Sequence, residues 1–314
     1  MAVFPIAAGM TDMSSSSLSA YVPILYGSWL EKFYAGTVYN EITNTNYQGA
    51  ISKYGDTVKI RTVPDITVYS YVDGEELPVV NAPASNTVDL KVDKGYLFSF
   101  MLTDLQELQT DLDIIDRFGI DGAEQMKIKI DKDYLGSVYA DANSSNSGIT
   151  AGVDSANFNL GALTTPVAIT RENVLRHLID AGVVLDEQSV PEEGRFYVMP
   201  PWMCGILKQS DLKEASLTGD SQSVLRNGRI GRVDRFTIYS NTHVNKVTDT
   251  VGGVSTTTWD TLFGHPSCLT FATQMTRMRL IESEHFFGKL LQSVVVCGWK
   301  TTNDKGLGSA HVSM

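Results

Sequence analysis

The chain has 314 residues, of which 43% are hydrophobic and 9% aromatic, enough for one large or two ordinary packed domains and too apolar for general disorder. Twenty-five basic residues against 36 acidic ones give a net charge of −11, a field that repels nucleic acid and excludes a general phosphate-backbone binder. Only 19% of residues are charged, so the surface is either rich in Ser, Thr and Asn or partly covered by partners.

No stretch approaches the ~20 apolar residues that span a bilayer, and no membrane association is expected. The first basic residue is Lys32, so the N-terminus lacks the positive start of a secretory signal. The three cysteines, Cys204, Cys268 and Cys297, are widely spaced and set among apolar residues. That pattern reads as buried reduced thiols rather than a disulfide framework.

In chain order, the first ~20 residues, with Gly9 and the run from Ser14 to Ser17, read as an arm that orders against something else. Leu25, Trp29, Leu30 and Phe33 predict a short amphipathic helix over residues 21–39. Residues 57–63 and 66–72 alternate, as do 87–93 and 96–102. Asp73-Gly74 is a turn signal, so the region predicts a long hairpin with a ragged tip near 73–86. Such a hairpin is marginal by itself and must lie on another surface.

Leu105, Leu108, Leu112, Ile115, Met126, Ile130, Tyr134 and Val138 predict a helix over 104–142, which would reach ~55–60 Å. The segment carries ten acids and four bases, a net of −6. Gly119, Gly122 and Gly136 weaken it. After a polar loop, Thr170 is expected to cap a second helix carrying Val174, Leu175, Leu178 and Val183. A buried strand at 196–199, a helix at 202–208, a strand at 236–239, a surface hairpin at 245–258 and strands at 275–280 and 290–299 complete the reading.

Phosphate-loop, nucleophile-elbow and zincin motifs are absent. The Glu282-Ser283-Glu284-His285 cluster falls short of a defined metal site, and no cofactor is expected. Gly228-Arg229-Ile230-Gly231 has the form of a nucleic-acid backbone clamp, but it is short and lacks a basic domain around it. Arg226, Arg229, Arg232 and Arg235, recurring every third residue, are better matched to carboxylates of a neighbouring subunit. Extended elements of this kind bury their apolar faces only against neighbours, which describes a self-assembling structural protein.

The sequence resembles the major capsid proteins of tailed bacteriophages, of the short-tailed-phage coat type. The resemblance rests on Gly55-Asp56-Thr57-Val58-Lys59-Ile60, on Val190-Pro191-Glu192-Glu193-Gly194-Arg195-Phe196-Tyr197-Val198-Met199-Pro200-Pro201-Trp202, and on Gly228-Arg229-Ile230-Gly231-Arg232-Val233-Asp234-Arg235-Phe236-Thr237-Ile238-Tyr239-Ser240-Asn241. It implies an α+β chain with the tailed-phage major-capsid (Johnson) fold. Residues 1–50 would be an N-terminal arm, 51–102 the extension loop and a peripheral strand, and 103–142 the spine helix. Residues 143–169 would be a peripheral loop, 170–288 mostly the axial domain, and 289–314 a peripheral strand and tail.

The implied function is structural, not enzymatic: a homo-oligomer of pentamers and hexamers closing an icosahedral shell around double-stranded DNA, assembled in the host cytoplasm. The chain has no room for a large inserted domain or its own scaffolding segment, so a separate scaffolding protein and a portal are expected, with a decoration protein left open. Asp73, Glu75, Glu76, Arg226, Arg229, Arg232 and Arg235 are the candidate inter-subunit contacts. An acidic inner spine would repel DNA and keep it mobile. One departure is Arg235, which stands where similar proteins often carry Gly. The alternatives are an encapsulin-like compartment shell, which shares the fold, and a soluble cytoplasmic enzyme.

Overall fold

The computed structural model describes residues 32, 34–46, 57–63, 66, 68–70, 73–74, 86–104, 114–210, 231–251, 254–284 and 286–314. The expected N-terminal arm and the helix over 21–39 lie almost wholly outside them. The short helix α1 spans Tyr39–Ile42. Strands β1 (Thr57–Thr62) and β2 (Asn86–Lys91) pair antiparallel, Thr57 opposite Lys91 and Thr62 opposite Asn86. Past Thr62, the described residues 63, 66 and 68–70 are not strand, although the alternating pattern runs through them. After two residues the chain re-enters a strand, β3 (Lys94–Thr103), which pairs with β11 (Gly288–Thr301) instead. With β10 (Leu269–Glu282) these form a three-stranded sheet in the order β10-β11-β3.

Helix α2 spans Ile114–Val138, 25 residues or ~37 Å, then tightens into one turn at Tyr139–Asp141. Its buried side chains Met126, Ile130, Tyr134 and Val138 follow the expected three- and four-residue steps. It lies on the β3 and β11 strands of the sheet. Phe100 meets Phe118 edge-on at 5.6 Å, and Tyr134 meets Trp299 in the same way at 5.6 Å. Gly122 permits this approach. A Cβ there would sit 2.8 Å from the Phe98 ring. The glycine that lowers helix propensity is the one that lets helix and sheet close.

The second sheet has seven strands: β4 (Val167–Ala168), β12 (Leu307–Ser313), β9 (Val254–Gly264), β5 (Arg195–Met199), β7 (Phe236–Ser240) and β6 (Arg232–Val233) in that order, with β8 (Asn245–Val251) also on β9. Helices α3 (Val174–Glu187) and α4 (Pro201–Gln209) cover one face. All five residues of β5 are buried because both its faces are covered. Tyr197 and Met199 point into the α3–α4 layer, and Phe196 and Val198 into the layer under α2. Each such large apolar side chain contributes ~1.5–3 kcal/mol. The two clusters meet across this strand, so the long helix and the large sheet share one continuous interior.

Several expectations change. The 245–258 excursion is half of a longer hairpin whose second strand, β9, runs into the centre of the large sheet. Thr170 does not cap α3; it sits in a turn held by Asn173, whose side chain accepts from the Thr170 amide (2.7 Å) and donates to the Ala168 carbonyl (2.8 Å). β10 pairs with β11, while β12 leaves for the large sheet. No described helix is long and apolar enough to cross a membrane.

Candidate functional site

Among the described residues, two surfaces stay exposed within a single copy. The first is the hairpin. Its base packs by Ile60, Leu90 and Val92 against Ala272 and Val296. Gly298 makes that possible, since a Cβ there would meet the Lys91 carbonyl at 2.0 Å. Beyond the base, Val63 is 91% exposed, Val68 89% and Tyr69 60%. Apolar residues left this bare on a projecting element mark a contact with another molecule.

The second surface is the three-stranded sheet on the side away from α2. Alternation sends Tyr96, Phe98 and Phe100 towards the helix and Leu97 and Ser99 outward. Leu97 is 76% exposed. At the far end of the same sheet, the β10–β11 turn exposes Phe286 and Phe287, the latter 90%.

Of the sequence-derived contact residues, Asp73, Arg232 and Arg235 are described. Asp73 stands in the hairpin turn beside Gly74, whose φ is +90°. Glu75, Glu76, Arg226, Arg229 and the Gly228 end of the glycine loop lie outside the described residues, as does His285. Arg232 is exposed on β6. Arg235 finds partners in its own chain, pairing with Asp186 and lying 3.4 Å from Glu192. The β6–β7 turn tolerates Arg235 because the left-handed residue is its neighbour Asp234 (φ 53°).

The described part of the spine, helix α2, holds five acids and four bases, and the acids at 107, 111 and 113 lie outside the described residues. Asp121 pairs with Lys32, Glu124 with Lys127 and Asp133 with Lys129. Asp131 is fully buried. It accepts from the Val38 and Tyr39 amides (3.0 and 2.9 Å) and from Asn241 Nδ2 (2.6 Å). That carboxylate ties the incoming chain and the large sheet to the long helix. Sequence reading missed it, although an acid next to Ile130 on the apolar stripe was the available signal.

Exposed hairpin and uncovered sheet face define a subunit shaped to pack against other subunits. Comparison with known proteins agrees. The family model described as phage capsid protein matches residues 85–277, more than half of the chain. A chain from Mycobacterium phage Che8 superposes with a TM-score of 0.73 at 22% identity, covering 92% of this chain and 96% of that one. The capsid of cyanophage P-SCSP1u gives 0.71 at 13% identity, with 99% and 98% covered. The capsid of cyanophage Pam1 gives 0.67 at 12%, with 100% and 99% covered. At these identities the superpositions establish the fold. No curated protein sequence matches the chain. The chain belongs to the phage capsid protein family, and it is a structural, shell-forming major capsid protein of the virion that assembles with its own copies.

Proposed function

We propose that the shell is icosahedral, built of pentamers and hexamers, and encloses double-stranded DNA. The observation that carries this reading is the β1–β2 hairpin, beyond whose base the described apolar residues Val63, Val68 and Tyr69 are exposed. In the reading, the 51–102 region overlaps a neighbouring subunit. Helix α2 and the three-stranded sheet form the peripheral domain, and the seven-stranded sheet with α3 and α4 forms the axial domain. The candidate contacts Asp73, Glu75, Glu76, Arg226, Arg229 and Arg232 belong to copy-to-copy interfaces. Arg235 has its intrachain partners and is assigned to holding the axial turn.

Assembly takes place in the host cytoplasm, with a separate scaffolding protein guiding closure and a portal at one vertex. The reading of DNA enclosure rests on family membership. Light-scattering mass of the purified protein, with the heavy fraction imaged by negative stain and assayed for nuclease-resistant DNA, tests the reading. Regular shells, DNA-filled when recovered from infected cells, are expected. A monodisperse small oligomer that stays small beside its co-expressed scaffold sinks it.

A further inference from the structure

We propose that the cleft between the C-terminal half of α2 and the 242–246 segment is a phosphate-group site, built on Lys132, His243 and Lys246. Its ligand is a phosphate chain, carried by the backbone of enclosed DNA or by a free polyphosphate. The site goes beyond the shell reading above, and its first test does not depend on that reading.

Two walls frame the cleft, whose volume is about 660 Å³. Lys132, Asp133 and Gly136 of α2 form one wall, and Thr242, His243 and Lys246 the other. The walls are fixed relative to one another. Asn241 Nδ2 donates to the buried Asp131 carboxylate of α2 (2.6 Å), and Asn241 Oδ1 accepts from the His243 amide (2.6 Å). The turn that carries His243 is thereby tied to the helix, so the site is preorganised. The space beside Gly136 is open, since a Cβ there would meet nothing within 4 Å.

The cleft is locally positive in an acidic chain. Lys132 and Lys246 are exposed, and among the described residues neither has an acidic partner. Lys246 lies instead over the Trp259 ring, at 5.9 Å. Asp133, the acid in the lining, is already engaged: its Oδ1 by Lys129 at 2.8 Å and its Oδ2 by the Tyr96 hydroxyl at 3.0 Å. His243 Nε2 is buried in the same wall. Buried polar atoms are nearly always paired within the fold, and this one is not. Two ammonium groups and the Thr242 hydroxyl suit a tetrahedral anion that accepts on every side. Lysine binds phosphate as a point charge, without the fork by which arginine grips carboxylates. A docking peptide needs an apolar anchor point, and the lining offers none, because Val244 is only 6% exposed. The chemistry therefore favours a phosphate chain over an acidic peptide. The net charge of −11 keeps such binding local and strongest at low salt.

Anisotropy of a short fluorescein-labelled DNA duplex, titrated with the full-length unassembled chain at low salt, reads the site, with unlabelled tripolyphosphate as competitor. Lys132→Gln with Lys246→Gln is expected to weaken binding about tenfold and to lower the slope of log affinity against log salt by about 1 to 2. Gly136→Glu, which sets a carboxylate in the opening, is expected to weaken it as much. Lys59→Gln with Lys305→Gln makes the same charge change elsewhere and should weaken it less than about twofold. All these positions are exposed, so the variants should melt as the parent does. Displacement of the duplex by tripolyphosphate assigns the site to phosphate chains in general, and resistance to it assigns the site to the DNA backbone. Lysine acetylation then reads the source in the particle. Slower modification of Lys132 and Lys246 in DNA-filled than in emptied shells names DNA. Equal rates, as fast as in the unassembled chain, name the free phosphate chain, and overturn the proposal where tripolyphosphate fails to compete. Protection that persists in emptied shells shows that protein covers the lysines and also overturns it. So does a wild-type chain that binds neither probe, or equal binding by the cleft and control variants. Failure of the chain to form shells leaves the anisotropy test untouched, so the site and the shell reading fail separately.

Discussion

Arg195 is fully buried, and its Nη2 lies 2.8 Å from Asp186 Oδ1. The rest of the guanidinium is used as well. Nε donates to the Pro191 carbonyl (2.8 Å), Nη1 to Gly182 (3.1 Å) and Nη2 to Val190 (2.6 Å). One side chain thus pins the 190–194 turn against α3 before β5 begins. A charge out of water is tolerable only when paired and fully hydrogen-bonded. Asp186→Ala leaves that charge uncompensated, and ~3–5 kcal/mol of stability should be lost. Asp186 also meets Arg235, but Arg235 is one-third exposed, so Arg235→Ala should lose only ~0–1 kcal/mol. Urea titrations of the unassembled variants separate the two. Equal losses would contradict a buried-charge origin.

The same turn shows what sequence can and cannot carry. Val190 to Trp202 was legible as turn, strand and stop because Pro and Gly punctuate it and four apolar residues run between. That Arg195 lies at 0% exposure was not legible. Nothing local distinguishes an arginine that meets three carbonyls from one in solvent. β12 was missed for a related reason. Leu307-Gly308-Ser309-Ala310 has little strand character, because small residues are required there. A Cβ on Gly308 would lie 2.3 Å from the Phe263 ring. The outward sheet face was not legible because Leu97, Arg277 and Arg279 come together on it only through strand register, and the arginines are about 180 residues from the leucine. The long periodic segment was legible: α2 holds its buried stripe from Met126 to Val138 as expected.

Asp131 makes the second test. Its carboxylate joins α1's first amides to Asn241 through α2, with no solvent contact. Asp131→Ala should destabilise the subunit by ~2–4 kcal/mol, the effect of orphaning buried donors. The 34–46 segment should also become sensitive to limited proteolysis. Asp131→Asn preserves volume but turns an amide donor towards existing donors, so it should fall between wild type and Ala. If protease sites in 34–46 stay closed while stability drops, the tie to the entering chain is wrong.

Acid should weaken the core of the large sheet through His177. Its Nε2 lies 3.2 Å from Tyr197 Oη, which is 3.1 Å from Thr261 Oγ1, and Thr261 donates to the Ala310 carbonyl (3.0 Å). With Thr261's proton committed, Tyr197 donates to Thr261 and the neutral Nε2–H of His177 donates to Tyr197. Burial lowers His177 from 6.5 to about 4. The unfolded chain takes up this proton below pH ~6.5, whereas the folded one resists it until about 4. The group's contribution is therefore intact above pH ~6.5, falls between there and 4, and levels off below, for a total of ~3 kcal/mol. His177→Gln should flatten that part of the stability profile. An unchanged slope in the variant assigns acid sensitivity to other groups.

The thiols supply the last test, because burial here controls chemistry and not only packing. Cys204, Cys268 and Cys297 are all free and buried. Desolvation raises each thiol, Cys297 to about 11 despite the lowering effect of nearby Lys94. Thiolate is the reactive form, so a raised pKa and a closed environment act together to suppress attack on disulfide reagents. Cys268 is further enclosed by the Asp304–Gly306 turn, where a Cβ on Gly306 would lie 2.1 Å from its sulfur. Native protein at pH 8 should react with Ellman's reagent orders of magnitude more slowly than in denaturant, where all three thiols should titrate. Gly306→Ala should open this corner and make Cys268 the first to react. Rapid labelling of native wild-type protein at any of the three would show that the layer above it opens, and would contradict the packing that joins the long helix to the two sheets.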